Sequence, residues 1–186
     1  GPTLILERIC QPLKRYTFQV PKIQKWVEQV STGKVLNLFA GITRLNLDET
    51  RIDLDQETNP DYCMDALEYV RLAAEQNLFY DTVILDPPYA YRKSMEMYKG
   101  HIASPFKQLK DELCGIIKLG SKIITFGYHS NSMGRIRGFE LTHVLLICHG
   151  GAQHDTIAIV EECITDDIKI EQEINNDFLK ELEDLL

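Results

Sequence analysis

No run of this chain approaches the roughly 18 consecutive apolar residues that a membrane-spanning helix requires, so no membrane partner is expected. No signal-peptide pattern stands at its start, and Gly1-Pro2 reads as a cleavage scar and is set aside. Cysteine is scarce and scattered: Cys10, Cys63, Cys114, Cys148 and Cys163 form no Cys-x-x-Cys pair. That spacing argues against a zinc site and a disulfide framework, and reduced thiols in a cytoplasmic protein are the expectation. His143, His149 and His154 lack metal-ligand spacing and read as structural, so no metal is expected. Internal repeats and low-complexity tracts are absent as well.

What is present suits one domain. The 186 residues are 44% hydrophobic, enough for a single real core. The net charge of −8 argues at first against a polyanionic partner, but it is unevenly spread. Residues 90–137 hold nine Lys and Arg against three Asp and Glu, and residues 1–34 hold six against two. Local field outweighs the total when a phosphate backbone approaches. A solvated, Lys-rich helix face would give the same count.

Short apolar runs alternate with helical stretches, the pattern of βαβ units around a parallel sheet in the α/β class. Residues 21–31 read as a helix with Pro21 in its first turn. Strands are expected at 35–39, 51–54, 82–85 and 122–126, and a helix at 105–118. Asp65 reads as the N-cap of a helix running to about Gln76, with Glu68 three residues on. Residues 140–148 and 156–161 read as an antiparallel hairpin across His149-Gly150-Gly151-Ala152. Ile170, Ile174, Phe178 and Leu182 recur every four residues and give an acidic C-terminal helix an apolar stripe, suited to its own domain, a protein partner or self-association.

Asp86-Pro87-Pro88-Tyr89 directly follows an apolar strand. In open α/β sheets ligands bind beyond the carboxyl ends of the strands, so the motif stands where a site should be. Its parts suit activation of an aromatic amine, whose lone pair is delocalised into the ring. Acceptors placed on both amine hydrogens pull the nitrogen toward tetrahedral geometry. The Asp86 carboxylate and the Pro87 carbonyl can be those acceptors, and the prolines stiffen the backbone that carries them. Tyr89 offers a flat face on which a base can stack.

Over about 15–161 the chain resembles the Rossmann-like amino-methyltransferases of DNA and RNA that carry a D/N/S-P-P-Y motif, here Asp86, Pro87, Pro88 and Tyr89. The resemblance implies S-adenosyl-L-methionine (AdoMet) as cofactor and the exocyclic amine of adenine (N6) or cytosine (N4) as target. It also implies a class I methyltransferase sheet, mostly parallel with a C-terminal antiparallel hairpin. Asn37, Leu38, Phe39, Ala40 and Gly41 resemble the family's AdoMet loop. Thr17 and Phe18 lie in a stretch that resembles the family's segment meeting the methionine end, and Asp65 and Ala66 resemble the position that binds the adenine amine. The domain bounds that follow are an N-terminal segment and helix at 1–34, the methyltransferase domain at 35–163 and the acidic helix at 164–186.

Two departures from the family stand out. Gly41 and Asp53 are only 12 positions apart, so the helices after the first two strands must be abbreviated. The ribose ligand is then Asp53, favoured, or Asp55 on the same strand face. A long target-recognition segment is also missing. Only 90–104 and 127–138 are free to serve, with Tyr91, Arg92, Lys93, Lys99 and His101 in the first, and Tyr128, His129, Asn131, Arg135 and Arg137 in the second. Interleaved cations and aromatics suit a single strand or a flipped base. With so little to read a sequence, the target is a structured RNA recognised by shape, a short DNA site or one specified by a partner, and RNA is slightly favoured over DNA. Rival expectations are N-methylation of a protein glutamine or small molecule, which Asp86 in place of Asn counts against, and a silent subunit. Methylation at cytosine C5 lacks its Pro-Cys nucleophile.

Overall fold

The computed structural model describes residues 3–93, 95–98, 100–151, 154–165 and 179–186. The chain opens with a strand, β1 (Ile5–Cys10), then a 3-10 turn at Thr17–Gln19 and the first helix, α1 (Pro21–Val30). Next come β2 (Lys34–Asn37), β3 (Asp48–Asp53), a 3-10 turn at Gln56–Thr58, β4 (Tyr62–Cys63) and α2 (Ala66–Glu75). The strand before the proline motif is β5 (Thr82–Leu85). The motif runs into a short helix, α3 (Tyr89–Lys93), and a hairpin of β6 (Glu96–Tyr98) with β7 (His101–Ala103). The series closes with α4 (Pro105–Leu113), β8 (Lys122–Gly127), a 3-10 turn at Arg135–Arg137, β9 (Phe139–Cys148) and β10 (Thr156–Cys163).

Eight strands form one mixed sheet in the order β1-β9-β10-β8-β5-β2-β3-β4. From β8 to β4 all pairings are parallel, whereas β10 runs antiparallel to both β8 and β9. The strand order reverses between β2 and β5, and α/β sheets open a crevice at such a switch point. Alternation along β5 explains its central place. Val83 and Leu85 face α2 and α4, and Ile84 faces α1 with Ile23, Trp26 and Val27. All four β5 residues are buried, as both faces of a covered parallel sheet demand.

One strand escaped the sequence reading, and two expected bounds need correcting. The first strand, β1, was not anticipated. It pairs parallel with β9 at the sheet edge, and its side chains are nearly all exposed, so no apolar period announces it. The second parallel strand begins at Asp48, not at Arg51. Helix α4 ends at Leu113, short of 118. The helices flanking β3 are indeed curtailed: 42–47 holds none, and a single 3-10 turn occupies Gln56–Thr58. Residues Ile170, Ile174 and Phe178 of the acidic stripe lie outside the described residues, while 179–185 are helical with Leu182 exposed. Among the described residues no helix is long and apolar enough to cross a membrane.

Candidate active site

Strand β5 delivers Asp86 to the switch point. Beyond Asn37 the β2 strand continues outward, with Leu38 N–H bonded to the Ile84 carbonyl (3.2 Å) and Ala40 N–H to the Ile52 carbonyl (3.1 Å). The chain then turns at Gly41, whose φ of 62° lies in the left-handed region. A Cβ there would stand 3.0 Å from the Tyr16 ring, so glycine also admits that close approach.

A helix normally follows such a turn. Here a buried polar cluster takes its place. Arg51, 1% exposed, donates to the Gly41 carbonyl and to the Asn59 carbonyl (3.2 Å), and pairs with Glu49 (3.4 Å). Glu49 accepts from Leu45 N–H (3.0 Å) and from the Asn37 amide (3.3 Å), so it organises the turn that replaces the helix. Burial pushes the Glu49 carboxyl upward, against the pull of the Leu45 N–H, Asn37 and Arg51. Sequence reasoning missed this cluster because arginine is by default a surface residue.

Around this loop lies a cleft of about 390 Å³. It is bordered by Leu38, Phe39, Ala40 and Gly41 from the end of β2, and by Thr17 and Phe18 from the first 3-10 turn. Asp53, Asp65 and Ala66 complete the far wall. Of the expected cofactor ligands, Asn37 and Asp55 are not among the residues that line it. Asn37 is fully buried in β2, and its Oδ1 has no hydrogen-bond partner among the described residues. Asp55 is exposed and accepts Glu57 N–H (2.9 Å), capping the next 3-10 turn. Asp53 braces the loop, taking Gly41 N–H (2.9 Å) on one oxygen and Asp55 N–H (2.9 Å) on the other. Asp65 caps α2 through one oxygen, which takes Leu67 N–H (3.0 Å) and Glu68 N–H (3.2 Å).

A second cavity of about 220 Å³ opens on the other side of Asp86. Thr17, Asp86 and Pro87 border both spaces, with Arg15 at the join. Asp86 accepts a hydrogen bond from the Thr17 hydroxyl through Oδ2, while Oδ1 has no bond and the carboxylate no ion pair among the described residues. Burial pushes this carboxyl above the usual carboxylate range, against the Thr17 bond and the nearby Arg92 charge. Among the described residues the Pro87 carbonyl meets a long contact from Arg92 Nε (3.4 Å).

The expected recognition residues separate into two groups. Tyr91 turns to the first cleft, its ring edge-on to Phe39 at 5.1 Å. Arg92 folds inward, bonded to the Phe126 carbonyl and stacked on Phe106 (5.2 Å), and a Cβ on Gly127 would collide with its guanidinium. Arg137 is tied to Asp111 (2.7 Å) and to the Met133 carbonyl (3.2 Å). The loop before it is pinned by Glu161, which accepts Met133 N–H (2.9 Å) and Gly134 N–H (2.7 Å). Tyr89, Lys93, Tyr128, His129, Asn131 and Arg135 are exposed. Lys99 and the side chain of His101 lie outside the described residues.

Other lining groups were not anticipated. Lys14, Arg15 and His149 border the second cavity. His149 Nδ1 donates to the Gln11 carbonyl (3.1 Å), and its Nε2 accepts the Thr156 hydroxyl (2.7 Å). The positive balance of residues 1–34 was the one sequence signal for Lys14 and Arg15.

No known family pattern matches the sequence, and no curated protein does either. Among solved structures, the chain is similar to a SAM-dependent methyltransferase from Streptococcus mutans, at 14% identity and a TM-score of 0.52 over 75% of this chain and 48% of that one. The methyltransferase SMU.776 in complex with SAH gives 15% identity and 0.51, again over 75% and 48%. The N-methyltransferase NodS from Bradyrhizobium japonicum WM9 gives 10% and 0.50 over 82% of this chain and all of the other. The chain spans about half the length of the first two. The likeness is one of fold: this chain has the mostly parallel Rossmann-like sheet of these methyltransferases, closed by an antiparallel hairpin.

Proposed function

We propose that the protein is an AdoMet-dependent N-methyltransferase acting on the exocyclic amine of a nucleobase, adenine N6 or cytosine N4, with RNA favoured over DNA as the polymer. One observation carries this reading: Asp86 and Pro87 form the common wall of two cavities, so an acceptor pair faces a substrate pocket with a cofactor-sized cleft behind it.

The cleft of about 390 Å³ falls within the roughly 300–1,000 Å³ of small-molecule sites. Its residues suit AdoMet. Phe39 supplies an aromatic wall, and Asp53 and Asp65 bring to it carboxylates suited to accept from ribose hydroxyls and an adenine amine. When bound, the cofactor supplies an electrophilic methyl group. On the substrate side, Asp86 Oδ1 and the Pro87 carbonyl take the two amine hydrogens. Thr17 fixes the carboxylate rotamer, so the acceptor is set before the base arrives. Positioning supplies most of the acceleration. The methylated nitrogen becomes acidic, and a carboxylate raised by burial is suited to take its proton.

Transfer of a radiolabelled methyl group to separate RNA, duplex DNA, single-stranded DNA and protein fractions tests the reading. Label in a nucleic-acid fraction, lost in Asp86→Ala with AdoMet binding retained, is the expected result. Label in protein alone, or undiminished turnover in the variant, would overturn it.

A further inference from the structure

We propose that Lys14 and Arg15 form a phosphate clamp that holds a single-stranded nucleic acid across the mouth of the second cavity, so that one base enters it. This rests on the reading above and assigns the polymer contact to the segment between β1 and α1, outside both loops that the sequence offered for recognition.

The cavity is small. At about 220 Å³ it falls below the range for drug-sized ligands and suits one base, leaving sugar and phosphate outside. Its charge is locally inverted. Lys14, Arg15 and Arg92 line it against the single carboxylate of Asp86, in a chain of net charge −8. Arg92 is occupied by the Pro87 and Phe126 carbonyls. Lys14 and Arg15 are exposed, and neither makes an ion pair among the described residues. Arg137, the rival cation, is consumed by Asp111.

The clamp is also anchored. Gln11 N–H bonds to the Cys148 carbonyl (2.9 Å), and the Gln11 carbonyl accepts from His149, itself held by Thr156. The pairing of β1 with β9 therefore anchors the chain at Gln11, just before the basic corner. Flat faces complete the mouth. Tyr89 is 62% exposed with Lys93 over its ring at 5.8 Å, and Tyr128 is 49% exposed with His154 edge-on at 6.4 Å. Arg15 stands over the Tyr16 ring (5.4 Å), which leaves its charge without an acidic partner among the described residues. Exposed cations for phosphates beside exposed rings for bases are the two elements of single-strand binding. An acidic peptide would use the cations and leave the rings idle.

The test is anisotropy of a fluorescein-labelled single-stranded RNA of mixed sequence, and of its DNA counterpart, titrated with the full chain at several salt concentrations. Lys14→Ala is the cleaner variant, because Lys14 borders only the second cavity. Lys14→Ala/Arg15→Ala should weaken binding about tenfold or more. It should also flatten the plot of log K against log salt by about 1.4, at roughly 0.7 per lost phosphate contact. Lys22→Ala/Lys25→Ala on the exposed face of α1 removes the same charge and should leave binding as in the wild type. AdoMet affinity of Lys14→Ala, by calorimetry, should be unchanged. The clamp is overturned if the double variant binds like wild type, if the α1 variant loses as much, if wild type ignores single strands, or if a poly-glutamate peptide competes equally. Failure of wild type to bind AdoMet would instead remove the methyltransferase reading, with strand binding still deciding the clamp.

Discussion

In the proposed reaction the chemistry turns on Asp86, whose environment makes opposite demands on it. Burial raises its pKa, and the Thr17 bond lowers it. Activity that needs the ionised carboxylate therefore rises with pH through that raised pKa. Thr17→Val removes a group that favours the ionised form, so the acid limb of the kcat profile should move to higher pH. A limb that stays put, or moves lower, would contradict the assignment. Stability runs the other way. A carboxyl raised on folding contributes stability that is fully present below its unfolded pKa and is lost as pH rises through the folded one. Asp86→Asn should accordingly lower transfer at least about 100-fold while raising Tm more at pH 7 than at pH 4, by calorimetric scans across that window.

At the scale of elements, the cluster around Arg51 takes over the work of a missing helix. Truncating one partner of a buried ion pair leaves the other charge uncompensated, at a cost of about 3–5 kcal/mol. Arg51→Met should lose stability of that order in urea melts and lose AdoMet binding, because the Gly41 carbonyl loses its donor. Adding Glu49→Gln to it should restore part of the stability. If Arg51→Met leaves both properties intact, the loop is held by something else. Legibility in the sequence follows the same division. Strand β5 and its proline motif were readable because an apolar run ends in residues of fixed geometry. The hairpin of β9 and β10 was readable from its Gly150-Gly151 turn. The β1 strand was not, since its partner lies some 140 residues away and its own face stays wet. Nor could the inward turn of Arg137 be foreseen, because it depends on Asp111 of another element.

Over the whole chain the net charge is −8, and against it the mouth of the second cavity is basic. If the first cleft takes AdoMet, ligand at a hundredfold excess over Kd should stabilise the fold by about 2.7 kcal/mol. For a chain of this size that is a rise of roughly 5–10 °C in Tm. Asp86→Ala should keep this rise and Arg51→Met should lose it. A wild-type melt indifferent to AdoMet would count against the cleft as its site. The short rim also predicts a preference among polymers. Duplex DNA should bind more weakly than either single strand, because a flipped base must first be unstacked at a cost of a few kcal/mol.

The shared wall has a thermodynamic corollary. A permanent cation entering the larger compartment must draw down the proton affinity of the carboxyl in the partition, and linkage requires the reverse effect to be of equal size. Loading with a sulfonium ligand should then expel a fraction of a proton at pH values around the raised pKa of Asp86, visible as a binding enthalpy that changes with the buffer's heat of ionisation. The uncharged thioether left after transfer should expel less, so the spent ligand would leave the smaller chamber less ready to hold an amine.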